Sequence, residues 1–313
     1  MRKGARAAPL FLFTLETASM TTIIDRLDDI SNRYDALYVD LWGCVHNGLT
    51  AFPGATAALR RFRAGGGTVV LVTNSPRPRA SVERQLARIG VPEDCWDAIA
   101  TSGDSARAAM FRGLVGRKVW HVGQPGDSGF FEPLALLENP VEIERVELDE
   151  AEGIVCTGPF DPAADPAGMR PQFLAAKNRG LKLLCANPDI QVDRGTVREW
   201  CAGALARLYS EMGGESLYFG KPHPPIYDLA RRRLSALGRD VHVSRILAIG
   251  DGLHTDIQGA MGEDIDSLFI TGGLAAGDTD TAAKDGAQPD PERLRTLLQR
   301  EMLSPTAAIG HLR

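Results

Sequence analysis

Six side chains in this sequence are of types that could share one piece of chemistry: Asp40, Thr73, Asn74, Lys221, Asp251 and Asp256. Asp40 ends the apolar run Leu37-Tyr38-Val39 and opens into a glycine-broken turn, Leu41-Trp42-Gly43-Cys44, followed by His46-Asn47-Gly48. Thr73-Asn74-Ser75-Pro76 follows the β-branched run 68–72, Lys221 lies in Phe219-Gly220-Lys221-Pro222, and Asp251 and Asp256 follow Ile246-Leu247-Ala248-Ile249. Asp40 and Asp251 would make a hard, oxygen-rich donor set suited to Mg²⁺, which takes one or two carboxylates plus waters and phosphate oxygens. The Thr73 hydroxyl, the Asn74 backbone N–H and the Lys221 ammonium can hold a phosphate. A carboxylate beside a divalent cation and an ammonium stays ionised and can attack phosphorus, giving an aspartyl-phosphate. Taken singly, each residue has an ordinary explanation: Asp40 and Thr73-Asn74 as turn formers, Lys221 as a surface charge, Asp251 and Asp256 as helix-start carboxylates. Their common position argues otherwise, because each follows a predicted strand.

Those strands belong to an α/β pattern. A helix is expected over 23–34, then the Asp40 strand, then a helix from Ala55 to Ala64 opened by Pro53-Gly54 and stopped by Gly65-Gly66-Gly67. Strand 68–72, helix 79–89 and strand 96–100, ending at Thr101-Ser102-Gly103, complete a β–α–β–α–β run with short connections. Such a run implies a parallel sheet with right-handed crossovers, and ligands of open sheets sit beyond the carboxyl ends of the strands. From 104 to 214 the pattern reads as a second α/β unit inserted in the first. It has helix 104–112, strands 118–122, 153–157 and 181–185, a Pro- and Asp-rich loop 158–166, and helices 167–179 and 198–212. The first rhythm then resumes with strand 217–219 at the Gly-Lys-Pro turn, helix 224–237 and strands 246–249 and 267–270. Helix 291–303 and a loose end follow. The expected division is a Rossmann-like core, 20–103 and 215–295, an insertion 104–214 and a tail 296–313.

Composition sets bounds on partners. A chain of 313 residues exceeds the usual single domain, and 44% hydrophobic with 24% charged residues describes an ordinary globular protein. A net charge of −5 and a pI near 5.7, with no basic patch, argue against nucleic acid or an anionic membrane as partner. Positive charge for an anionic substrate must therefore be supplied locally. The five cysteines are odd in number and lack CxxC spacing, which reads as reduced thiols in a cytoplasmic protein. No run approaches the roughly 18 apolar residues of a membrane span. Residues 1–19 resemble a weak signal peptide interrupted by Pro9 and Thr14; the reading preferred on the thiols is an upstream extension with Met20 as start.

In order, DxxGxxxxG at 40–48, TNS at 73–75, GKP at 220–222 and GDGLHTDIQGA at 250–260 resemble the four motifs of the haloacid dehalogenase (HAD) superfamily. The long insertion between the second and third motifs resembles the large α/β cap of its class IIA branch of NagD-like, para-nitrophenyl and pyridoxal phosphatases. Ala186-Asn187-Pro188-Asp189 and Thr101-Ser102-Gly103 match that branch too, so the similarity spans about 22 to 275. The resemblance implies a Mg²⁺-dependent phosphatase of a small phosphorylated metabolite, a sugar phosphate or nucleotide, and is compatible with a homodimer. It casts Asp40 as nucleophile and metal ligand, and the Trp42 backbone carbonyl and Asp251 as further metal ligands. Asp256 would act on the metal directly or through water. Thr73 and Asn74 would bind phosphate, and Lys221 would steady both nucleophile and phosphate.

Trp42 departs from that pattern. Phosphatases of the superfamily usually carry Asp two residues after the nucleophile, to protonate the leaving oxygen and then activate water. Trp does neither. Three readings follow: His46 supplies the acid/base function, the enzyme favours good leaving groups, or the site binds phosphorylated ligands without turnover. True dehalogenases also lack the Asp, which raises a carbon–halogen hydrolase as a rival, but they work without the metal that Asp251 and Asp256 suggest. His254 is expected to face solvent or the cap, His223 to be a surface-loop residue, and the cap loops 158–166 and 187–195 to set specificity.

Overall fold

The computed structural model describes residues 21–134, 139–194, 197–284 and 286–313; the extension 1–19 lies outside them. Its strands, in chain order, are β1 (Thr22–Ile23), β2 (Ala36–Val39), β3 (Thr68–Thr73), β4 (Ala98–Thr101), β5 (Lys118–Val122), β6 (Glu144–Arg145), β7 (Gly153–Cys156), β8 (Lys182–Cys185), β9 (Gln191–Arg194), β10 (Val197–Trp200), β11 (Glu215–Tyr218), β12 (Ile246–Gly250), β13 (Asp266–Ile270) and β14 (Ala307–Ile309). Seven of them form a parallel core sheet in the order β1-β14-β13-β12-β2-β3-β4. Every residue of β2, β3 and β12 is buried. Covering on both faces is why these strands read as continuous apolar runs rather than alternations.

Successive side chains supply opposite faces. Leu37, Val39, Val69, Leu71, Leu247 and Ile249 join one core with Leu59 and Leu86 of helices Pro53–Ala64 and Arg79–Ile89. Tyr38, Val70, Val72 and Ala248 join another with Ile226, Ala230 and Leu234 of helix Pro224–Ala236. The architecture is a Rossmann-like parallel-sheet core carrying an inserted α/β unit.

That unit holds a second parallel sheet, β11-β8-β7-β5-β6, and an antiparallel hairpin of β9 and β10. Three expectations need correction here. The strand before Lys221 pairs with β8 in the second sheet, not with the core sheet. Residues 198–200, expected to begin a helix, are strand, and Cys201 is extended (φ −113°, ψ 174°), so the helix starts at Ala202. The tail is not loose: β14 slots between β1 and β13 with Ala307, Ala308 and Ile309 buried.

At the other terminus, the expected helix 23–34 reduces to Asp28–Ser31, because Ile23 is spent pairing with Ala308. Among the described residues no helix is long and apolar enough to cross a membrane.

Candidate active site

Neighbouring strands bring the first two carboxylates together. β2 and β12 pair with Val39 opposite Ile249, and the Asp40 N–H extends that pairing to the Ile249 carbonyl at 2.8 Å. Asp40 and Asp251, each one residue past its strand, therefore emerge side by side, with ligand atoms of Asp40, Asp251 and Cys44 within 4.8 Å of one another. Glycines make the seat. Gly43 has φ +76°, and a Cβ there would lie 2.2 Å from Asp251 Oδ2; one on Gly273 would lie 2.0 Å from it. The Leu274 N–H donates to that oxygen at 2.9 Å.

Lys221 closes the constellation. Its ammonium donates to Asp40 Oδ1 at 2.5 Å and to Asp256 Oδ1 at 2.7 Å, and the residue is 3% exposed. Asp256 is fixed from its other oxygen by the Gly252 N–H (3.1 Å) and the Thr255 hydroxyl (3.3 Å). Lys221 arrives from the turn after β11, and Asn74 sets its backbone: Oδ1 accepts from Lys221 N–H at 2.7 Å, and Nδ2 donates to the Lys221 carbonyl at 3.1 Å. The Asn74 side chain is thus occupied by protein partners; the group expected from sequence to meet a phosphate is its backbone N–H. Thr73, the last residue of β3, is buried and accepts from the Ser75 N–H at 3.2 Å. All six residues line one cavity of about 730 Å³.

The electrostatics follow from burial. Burial alone would lower the Lys221 pKa, but Asp256 and Asp40 outweigh it and hold the ammonium protonated well above its ordinary range. Burial raises Asp40, with Lys221 opposing. It raises Asp251 far more, helped by the charges of Asp40 and Asp256. Asp256 is pushed up to about 6 by burial, again with Lys221 opposing. With Asp189, whose carboxylate also interacts with Lys221 and Asp256, four carboxylates thus face one ammonium in a region shielded from water. Uncompensated buried charge of this kind is costly, and a divalent cation between Asp40 and Asp251 would relieve it. The donor set fits such an ion: two hard carboxylates, with the Cys44 thiol held protonated by burial and by the same carboxylates.

Known proteins match the chain that carries this arrangement in sequence and fold. A family profile described as haloacid dehalogenase-like hydrolase covers residues 37–134, and a second, HAD-hydrolase-like, covers 218–297. A crystal structure of a haloacid dehalogenase-like hydrolase from Brucella suis 1330 is 42% identical over 93% of this chain and all of that one, with a TM-score of 0.79. The chain belongs to the haloacid dehalogenase-like hydrolases. Within that family it is similar to the ribonucleotide monophosphatase NagD of Escherichia coli K12, at 24% identity over 76% of this chain and 87% of that protein. It shares its fold with a glycerol phosphate phosphatase of Mycobacterium tuberculosis solved with magnesium, at 24% identity, a TM-score of 0.60, and 85% and 78% of the two chains. These relatives place the HAD enzyme in the class IIA branch, with the inserted unit as its cap.

The remaining residues singled out from sequence fall around the rim. Trp42 is half-buried at the cavity wall, its indole edge-on to His46 at 5.3 Å. Gly48 (φ +85°) passes under the indole, where a Cβ would lie 2.5 Å from ring carbons. His46 is 2% exposed and closes the turn, with Nδ1 accepting from the Gly48 N–H at 3.0 Å. Burial lowers its pKa to about 4, so it is neutral at physiological pH. His254, with 68% of its side chain exposed, lies 3.1 Å from Glu301. His223 is not a bare loop residue: it stacks on Tyr218 at 4.7 Å with ring planes 11° apart, and both line the cavity.

Sequence reasoning missed Gln124, Asp127 and Thr157, which the cap contributes to the cavity wall. They carry no motif, and their role is visible only once β5 and β7 lie side by side. Asp189, read from sequence as part of a branch match and of the cap loop 187–195, bonds Asn74 directly.

Proposed function

We propose that this HAD enzyme is a Mg²⁺-dependent phosphomonoesterase in which Asp40 accepts the phosphoryl group of a small metabolite, of the sugar phosphate or nucleotide class. The observation that carries the reading is the Lys221 ammonium held between Asp40 and Asp256, beside Asp251, at the carboxyl edge of the sheet. Phosphate groups want that combination, and it supports phosphoryl rather than carbon–halogen chemistry. The reading also draws support from relatives that act on a ribonucleotide and on glycerol phosphate, one of them solved with magnesium.

Asp40, whose ionised form Lys221 favours against burial, forms a bond to phosphorus as the ester P–O bond breaks and the electron pair leaves with the alcohol oxygen. Thr73, the Asn74 N–H and Lys221 hold the phosphoryl oxygens in place. Water then attacks the aspartyl-phosphate, releasing phosphate and regenerating Asp40. Asp40, Asp251 and the Trp42 carbonyl would hold Mg²⁺, with Asp256 behind them. When bound, the ion supplies charge neutralisation for phosphate oxygens and for the surplus carboxylates.

The leaving oxygen needs a proton if it is basic, and Trp42 has none to give. His46 is neutral, and its Nδ1 is spent on the Gly48 amide, so it is poorly suited to act as an acid. Of the sequence-based readings of Trp42, the geometry favours a phosphatase that is slow on the alkyl esters of sugars and nucleotides and faster on good leaving groups. A phosphate-release screen with Mg²⁺ across aryl, sugar, nucleotide and pyridoxal phosphates, beside Asp40→Asn, tests this. Release by the wild type and none by the variant is expected. Silence of the wild type on every ester, with Mg²⁺ still bound, would make it a phospholigand-binding protein instead.

A further inference from the structure

Besides the chain connection from β11 to Lys221, a cap carboxylate bonds directly to a residue of the site. Asp189 follows β8 in the turn Asn187-Pro188-Asp189, and its Oδ1 accepts from Asn74 Nδ2 at 2.8 Å. Its own backbone is pinned: its N–H donates to Asn187 Oδ1 at 3.0 Å, and its carbonyl accepts from Gly203 N–H at 3.1 Å. The two layers meet with no room to spare. A Cβ on Gly220 would lie 2.4 Å from Asn74 Oδ1 and 2.6 Å from Pro188 Cδ; within the cap, one on Gly203 would lie 2.0 Å from the Pro188 carbonyl, which fixes the turn that carries Asp189.

Asn74 is 4% exposed, and its carboxamide has one consistent orientation. The Lys221 N–H can only donate, so it must meet Oδ1, which turns Nδ2 toward two acceptors, the Lys221 carbonyl and Asp189. Both donor hydrogens and one acceptor position of the amide are therefore used, and one of its three partners is the cap's carboxylate.

We propose that Asp189 is a positioning residue. By locking the Asn74 carboxamide it registers the Lys221 backbone, so that seating of the cap and placement of the Lys221 ammonium between Asp40 and Asp256 are one event. The inference rests on the phosphatase reading and extends it to the residue by which the cap assembles the site. Asp189 lines the same cavity and its charge is felt by Asp40, Lys221 and Asp256, but its side-chain hydrogen bond is to Asn74, and its positioning role runs through that bond. Without it, one Nδ2 hydrogen is buried unpaired and the amide loses the partner that fixes its rotation.

The test compares Asp189→Ala, Asp189→Asn, Asn74→Ala and the Asn74→Ala/Asp189→Ala double variant by steady-state turnover of an aryl phosphate with Mg²⁺, each checked for folding by circular dichroism. Asp189→Ala is expected to lower kcat/KM about tenfold or more, the scale of one charge-assisted hydrogen bond. Asp189→Asn keeps an acceptor oxygen for Asn74 and should recover to within a few-fold of wild type. The double variant should be no worse than Asn74→Ala alone. An unaffected Asp189→Ala, an Asp189→Asn as damaged as Asp189→Ala, or additive losses in the double variant would each overturn the inference. Wild-type turnover in the same assay judges the phosphatase reading separately. If it is nil, that reading fails, and calorimetric affinity for inorganic phosphate must show the same order of variants or the inference fails too.

Discussion

Replacing Lys221 by Met removes the ammonium and keeps a stem of similar length and apolar bulk. In the wild type that ammonium makes two short contacts, 2.5 Å to Asp40 and 2.7 Å to Asp256, in a residue 3% exposed to solvent. Removing one partner of a buried ion pair costs about 3–5 kcal/mol, mostly because the remaining charge is left without compensation. Two carboxylates are stranded here, which pushes the cost up. Asp256, already raised to about 6, can take a proton in the variant, which pushes it down. The expected loss is about 3 kcal/mol at neutral pH with divalent ions chelated. Urea unfolding followed by circular dichroism reads it as a lower midpoint with unchanged slope. Lys221→Met/Asp256→Asn, in which one stranded charge is gone, should recover part of the loss. A loss below about 1 kcal/mol, the scale of an exposed pair, would mean that the ammonium is not the buried counter-charge described.

Trp42→Asp should raise turnover of alkyl phosphates, by up to about 10²-fold if the new carboxyl reaches the leaving oxygen, with little change for aryl phosphates. No gain in a folded, Mg²⁺-binding variant would show that the loop geometry does not admit an acid at this position. His46 gives a pH prediction. Its folded pKa, near 4, lies below the unfolded value of 6.5, so its contribution is fully present above 6.5 and is lost as pH falls and the unfolded chain takes the proton first. Relative to His46→Gln, the wild type should lose on the order of 2 kcal/mol between neutral pH and about pH 5. Parallel stability–pH curves for the two proteins would contradict a neutral buried His46.

Asp40, Thr73 and Asp251 could be read from sequence because a parallel sheet gathers the carboxyl ends of its strands at one edge. Lys221 was legible as a motif but not in its setting. The run Leu217-Tyr218-Phe219 suits a core strand as well as the cap strand it feeds, and only pairing with β8 decides between them. The Asn74–Asp189 bond spans 115 residues and two sheets, and no periodicity announces it. β14 escaped for a different reason: Ala307-Ala308-Ile309 is too short for a pattern and owes its strand conformation to the partners on either side. The β9–β10 hairpin was hidden because Val197-Arg198-Glu199-Trp200 runs straight into a helical sequence, and only the extended Cys201 separates them.

The most direct test of the central claim is to look for the phosphoryl group on Asp40. Wild-type protein and Asp40→Asn are mixed with an aryl phosphate and Mg²⁺, quenched in acid within the first turnover, and mapped by peptide mass spectrometry. With Trp42 in the place of a base that would activate water, the aspartyl-phosphate should break down slowly enough to accumulate. The peptide containing Asp40 should then carry one phosphoryl group in the wild type and none in the variant. Phosphate release with an unmodified Asp40 peptide at every quench time, or undiminished release by Asp40→Asn, would contradict the account.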